Sequence, residues 1–131
     1  MNDLNHLLRD PATSFAVVGA TDSPGKYGGI IYRDLKRKGF LVYAVNPSRT
    51  EVDLDPCWPR VTDLPDRPTI VVMVIPAERG ISVIADCVEA GVENVWVQPG
   101  AHSVPLGEAL DQAGLNWLAG ACVMVETRQA V

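Results

Sequence analysis

Residues 15–38 constrain the fold of this chain more than any other stretch. The run Phe15-Ala16-Val17-Val18 is short, apolar and partly β-branched, and it stops at Gly19. Ten small, polar or glycine-rich positions follow, Ala20-Thr21-Asp22-Ser23-Pro24-Gly25-Lys26-Tyr27-Gly28-Gly29, and then an amphipathic segment from Ile30 to Lys38. That order reads as strand, loop, helix. Small residues let backbone N–H groups approach an anion closely, and the positive end of the helix adds a favourable field. The stretch therefore predicts a parallel αβ unit with a phosphate-bearing, nucleotide-like ligand at its first turn.

The rest of the chain repeats the alternation. Leu41–Val45 reads as a second strand closed by Asn46-Pro47, Thr69–Ile75 as a third, Val95–Val97 as a fourth and Trp117-Leu118 as a fifth. Continuous apolar strands are what a parallel sheet covered on both faces requires. Between them Ile31 and Leu35 lie one turn apart, with Gly39 as a stop after three cationic residues. Ile81, Ile84, Ala85 and Val88 recur at i, i+3, i+4, i+7 before Gly91. Leu106, Ala109, Leu110 and Ala113 recur likewise, with Ser103 as N-cap and Gly114 as the stop. Asn2–Arg9 reads as a short leading helix ended by Pro11. Residues 48–68, rich in Pro, Asp and Arg, read as an irregular connection holding at most a short helix or turn. The expectation is one doubly wound α/β domain over residues 1–131: five mostly parallel strands in the spatial order 3-2-1-4-5, with helices on both faces and a ligand beyond the carboxyl ends of the strands.

Composition narrows the ligand. A formal charge of −5 over 131 residues argues against nucleic acid, which needs a basic face. No apolar run approaches the roughly 20 residues of a membrane span, and the polar start MNDLNHLLRDPATS is unlike a secretory signal. Three cysteines, Cys57, Cys87 and Cys122, form no CxxC pair, so a disulfide scaffold or metal site is not expected and a reducing cytoplasm fits. Cys122 reads as a small apolar residue in a late strand, Cys57 and Cys87 as structural or incidental, Trp96 as core, His6 as surface, and His102 as a solvated loop residue on the ligand edge. No Ser/His/Asp or Cys/His set has supporting context, so no catalytic residue is assigned.

The choice of nucleotide turns on two turns of the chain. The loop after the first strand lacks the G-x-G-x-x-G spacing, and the second strand ends in Asn46-Pro47 where an NAD site would place an acid for the ribose 2′-hydroxyl. Arg49 follows two residues later and suits a phosphate better than a diol. No P-loop motif occurs.

Taken together, VVGATDSPGKYG at 17–28, GFLVYAVNPSRTEV at 39–52, VIPAERGISVIADCVEAGVENVWVQPGA at 74–101 and the Cys122 segment resemble the CoA-binding Rossmann domains, which include small stand-alone proteins and the N-terminal domain of the succinyl-CoA synthetase α subunit. The resemblance runs in order over roughly residues 14–126. It implies that Gly19, Ala20, Thr21, Asp22 and Ser23, with Lys26 and Tyr27 of the same motif, hold the CoA diphosphate. It implies that Asn46, Pro47 and Arg49 meet the nucleotide phosphates. Ile75, Pro76 and Ala77 would line the nucleotide site, and Val97, Gln98, Pro99 and Gly100 would lie near the pantetheine arm. Many stand-alone members carry Phe-Arg and Asp-Arg pairs where this chain has Val74-Ile75 and Gly120-Ala121. The resemblance implies a stand-alone module that binds coenzyme A or an acyl-CoA and carries, senses or delivers it, with a protein partner or a homodimer as further possibilities. The alternatives are a small NAD(P)-dependent oxidoreductase domain and a degenerate domain that binds a protein partner.

Overall fold

The computed structural model describes residues 1–130. Seven strands form one mostly parallel sheet: β1 (Ser14–Val18), β2 (Leu41–Val45), β3 (Glu51–Val52), β4 (Asp55–Trp58), β5 (Ile70–Met73), β6 (Asn94–Val97) and β7 (Asn116–Ala119). Four α-helices connect or follow them: α1 (Tyr27–Arg37), α2 (Ala77–Ala90), α3 (Val104–Gln112) and α4 (Val123–Glu126). Strands β1, β5 and β6 are apolar and buried almost throughout, as a doubly covered parallel sheet demands.

The two faces have separate cores. Ile31, Tyr32 and Leu35 of α1 pack on one side with Leu4, Leu8 and Val123. Ile84 and Cys87 of α2, with Leu106 and Leu110 of α3, pack on the other with Val61 and Trp117. Trp96 is fully buried, and its indole N–H donates to the Ala121 carbonyl at 2.9 Å. His6 lies on the surface. The leading helix is a short 3-10 segment, Asn5–Arg9, starting later than the sequence suggested. Among the described residues no helix is long and apolar enough to cross a membrane.

Three expectations are corrected. Residues 48–68 are more ordered than read: β3 and β4 form a hairpin through Asp53 and Leu54, both at positive φ (51° and 67°), the turn geometry that matches strand twist. Strand β4 then lies parallel to β2 along its outer edge. That edge being filled, β5 pairs with β1 on the opposite side, and the spatial order is β3-β4-β2-β1-β5-β6-β7. In terms of the five expected strands the order is 2-1-3-4-5 rather than 3-2-1-4-5. The direction of winding therefore reverses between β1 and β5.

The third correction concerns α2. Of its expected apolar stripe only Ile84 turns inward. Ile81 and Val88 are 43% and 52% exposed, and the buried face is Gly80, Ile84 and Cys87. A side chain at Gly80 would press at 3.3 Å on both Leu106 and Met73, so the narrowest face of the helix, not the bulkiest, sets the packing.

Candidate functional site

The carboxyl ends of the parallel strands open into one cleft of about 1320 Å³. Drug-sized ligands occupy pockets of roughly 300–1,000 Å³, so this volume suits an extended cofactor. The cleft lies at the reversal between β1 and β5, where ligands of such sheets bind.

Its centre is the β1–α1 loop. Gly19 adopts φ 102°, and a Cβ there would sit 2.7 Å from the Val74 carbonyl oxygen, so the loop passes directly over the end of β5. Gly28 and Gly29 act differently: side chains on them would collide with the Gly19 and Thr21 carbonyl oxygens. Helix α1 is thus seated against the turn it follows. The Thr21 hydroxyl accepts from the Ser23 N–H at 3.1 Å and shapes the loop from within. No side chain caps α1, whose first backbone bond runs from Ile30 N–H to the Lys26 carbonyl. The N–H groups of the first turn therefore have no intrahelical acceptor and carry the positive end of the helix.

The β2 turn is locked to this loop. The Asn46 side-chain amide donates to the Ala20 carbonyl at 2.9 Å, and its oxygen accepts from the Ser48 N–H at 2.9 Å. Arg49 reaches back over the loop and donates to the Ser23 hydroxyl at 2.7 Å. Two of the guanidinium's nitrogens are left free of that bond. On the far side Gln98, buried beyond β6, accepts from the Val123 N–H at 2.7 Å and donates to the Cys122 sulfur at 3.4 Å.

The structure brings Gly19, Thr21, Ser23, Lys26, Tyr27, Asn46, Pro47, Arg49, Ile75, Pro76, Gln98, Pro99 and Gly100 together on the cleft wall. Four further candidates stand behind it. Ala20 is fully buried beneath the loop. Asp22 turns away and accepts from the Asp53 N–H of the hairpin at 2.9 Å. Ala77 opens α2 and packs against its core, and Val97 is fully buried in β6. Their side chains support the wall and do not line it.

Sequence reasoning missed Pro59, Arg60, Val61, Arg79, Ser82, Val83 and Asp86, which line the cleft from the β4 end and from α2. The spacing of Arg79, Ser82, Val83 and Asp86 places them on one helical face, a signal available in the sequence once α2 is known to lie beside the cleft. Cys122 also lines the cleft; it is not in a strand but caps α4, half-buried. His102 stacks on Trp117 at 5.5 Å between ring centroids. Burial holds the Cys57 thiol above its ordinary range and pushes the Cys87 thiol up to about 12, so both stay protonated at neutral pH.

The charge balance of the cleft opposes that of the chain. Among the described residues Lys26, Arg49, Arg60 and Arg79 face it, with Asp86 the one carboxylate, on a chain of net charge −5. A cationic cleft on an acidic molecule concentrates anions there. Fold, reversal point, anion loop and charge define a nucleotide-binding domain of the doubly wound class.

The family follows from sequence. The model of the CoA-binding domain matches residues 13–128, and the chain belongs to that family. ADP-forming acetate–CoA ligase II of Archaeoglobus fulgidus is 34% identical over 86 residues, covering 64% of this chain and 13% of the ligase. The chain thus corresponds to a small part of the curated relatives it matches. Among solved structures, a conserved hypothetical protein from Pyrococcus furiosus superposes with a TM-score of 0.84 at 42% identity, covering 88% of this chain and 99% of that one. The dinucleotide-forming acetyl-coenzyme A synthetase 1 of Ca. Korarchaeum cryptofilum, solved with phosphate and ADP, superposes at 0.75 and 34% identity over 90% of this chain and 27% of its own.

Proposed function

We propose that this protein binds coenzyme A, free or acylated, in the carboxyl-edge cleft, and acts as a binding, carrier or sensor module rather than as a catalyst. The observation that carries the reading is the anion loop itself: an uncapped α1 N-terminus, glycine contacts that seat the helix directly against the loop backbone, and Arg49 laid over Ser23. The diphosphate rests on the residues from Gly19 to Tyr27. The ribose lies at Asn46-Pro47, and its 3′-phosphate meets Arg49. The pantetheine arm runs past Ile75 and Pro76 toward Gln98, Pro99 and Gly100. Three free cysteines suit the cytoplasm.

Calorimetry with CoA, dephospho-CoA, NAD and NADP tests this. A charge-assisted hydrogen bond is worth about 1.5–3 kcal/mol. CoA should therefore bind about ten- to a hundredfold more tightly than dephospho-CoA, and Arg49→Ala should erase most of the gap. NAD should bind poorly, because no acid stands at the end of β2 for its 2′-hydroxyl. NADP is the informative competitor, since its 2′-phosphate could also reach Arg49. Tighter binding of NADP than CoA would replace this reading by the oxidoreductase one. Indifference to millimolar CoA would remove it.

A further inference from the structure

One part of the cleft is not needed to hold phosphates. Beyond β4 the chain passes through Pro59, Arg60 and Val61, and these face the side of α2 that carries Val83 and Asp86. Between them the Arg60 guanidinium grips the Asp86 carboxylate in a two-point pair, with Nε donating to Oδ2 at 3.1 Å and Nη2 to Oδ1. Asp86 is mostly covered, its side chain 14% exposed, whereas Arg60 is 59% exposed. Helix α2 thus fixes the carboxylate, and the carboxylate fixes the arginine.

The pair does not exhaust either group. A guanidinium has five N–H donors, of which two are used here, and each carboxylate oxygen keeps a second lone-pair direction. The cleft therefore meets an acceptor beside a donor, on a lining that also includes Pro59, Val61, Ile75 and Val83. Apolar walls admit a flat ring, and the pair at their edge offers it one hydrogen-bond acceptor and one donor. Adenine presents the complementary set on its edge: the exocyclic amine donates and N7 accepts. Hypoxanthine, with a carbonyl in place of the amine, presents two acceptors.

We propose that the Arg60–Asp86 pair reads the edge of the nucleotide base and selects adenine. The proposal rests on the CoA reading of the cleft and adds the residues that set its base specificity. Asp86 accepts from the amine, Arg60 donates to the ring nitrogen, and each holds the other in register. The same carboxylate would face the hypoxanthine oxygen, lone pair against lone pair.

The test compares binding of CoA and of its deaminated, hypoxanthine-containing analogue by calorimetry. A matched two-point contact discriminates by about ten- to a hundredfold, and the wild type should favour CoA by that factor. Asp86→Asn replaces one acceptor by an N–H donor that suits the hypoxanthine oxygen, so the ratio should collapse or invert. Arg60→Gln removes the donor to N7, an acceptor that both bases present, so it should weaken both ligands and leave the ratio near the wild-type value. A purely structural role of Asp86 would weaken both ligands equally in Asp86→Asn and leave the ratio unchanged. An unchanged ratio in Asp86→Asn, full CoA affinity in Arg60→Gln, or no preference in the wild type overturns the proposal while leaving CoA binding intact. A wild type that binds neither ligand removes the CoA reading and this proposal with it.

Discussion

Replacing Gly28 by alanine is the sharpest test of how the anion loop is built. The added Cβ would collide with the Gly19 carbonyl oxygen and lie 2.7 Å from its carbon and 3.3 Å from the Ala20 Cα. Carbon atoms rest at about 3.5–4.0 Å. Every atom in the way is backbone, so no rotamer relieves the contact. Helix α1 must instead retreat from β1 by about 1 Å, loosening the packing of Ile31, Tyr32 and Leu35, all at most 1% exposed. Overpacking of this kind costs about 1–3 kcal/mol, and more where backbone must move. Alanine's better helix propensity returns at most about 1 kcal/mol. Taking the upper end of that cost, because every clashing atom is backbone, the net loss should be about 2 kcal/mol. For a chain of this size, at about 3–6 °C per kcal/mol, that lowers the melting temperature by roughly 6–12 °C. Gly25→Ala is the control: φ is 75° there with nothing within 4 Å, so only the left-handed conformation is penalised, by about 1–2 kcal/mol. Thermal melts with and without CoA check both. A Gly28→Ala melting point within about 2 °C of the wild type would refute the close-approach argument, as would a loss smaller than that of Gly25→Ala.

Asn46→Ala should remove the hydrogen bond that ties the β2 turn to the anion loop and a second one within the turn. It should cost about 1–2 kcal/mol of stability and weaken CoA more than the melt alone predicts, which paired melting and calorimetry would reveal. Thiol alkylation at pH 8 should modify Cys122, half-buried on the cleft wall, well before Cys87, which is fully buried with its thiol pushed up to about 12; peptide mapping reads the order, and bound CoA should slow the reaction at Cys122. At the hairpin, Lys36 and then the Tyr32 hydroxyl hold the Asp55 carboxyl below its ordinary value near 3.8. A carboxyl lowered in the folded state stabilises above that value and loses its contribution as pH falls through the lower one. The melting-point difference between wild type and Asp55→Asn should therefore be constant near neutrality and vanish in strong acid.

The sequence by itself determined the elements and their chemistry. β1, β2, β5 and β6 follow from continuous apolar runs that a doubly covered parallel sheet alone accommodates. α1 follows from Ile31 and Leu35 one turn apart, and α3 from its repeat and the Ser103 cap, whose hydroxyl accepts from Leu106 N–H at 3.2 Å. Most residues the resemblance brought forward also meet on one cleft wall, because strand ends are local features that a parallel sheet collects along one edge. What tertiary structure decided was whatever depends on a partner distant in the chain. The face α2 buries could not be read from Ile81, Ile84, Ala85 and Val88, since apolar residues occupy more than one of its stripes. Contact of Gly80 with Met73 and Leu106 chose between them. The strand order could not be read either: it depends on the β3–β4 hairpin, whose turn is made by Asp53 and Leu54 rather than by glycine and so left no strong local signal. Arg60 and Asp86 stand 26 positions apart, on a loop and a helix that meet only because β4 filled the edge of the sheet and sent β5 to the other side of β1. Local propensity names the pieces; pairing and close packing across the chain choose the neighbours, and the neighbours make the cleft.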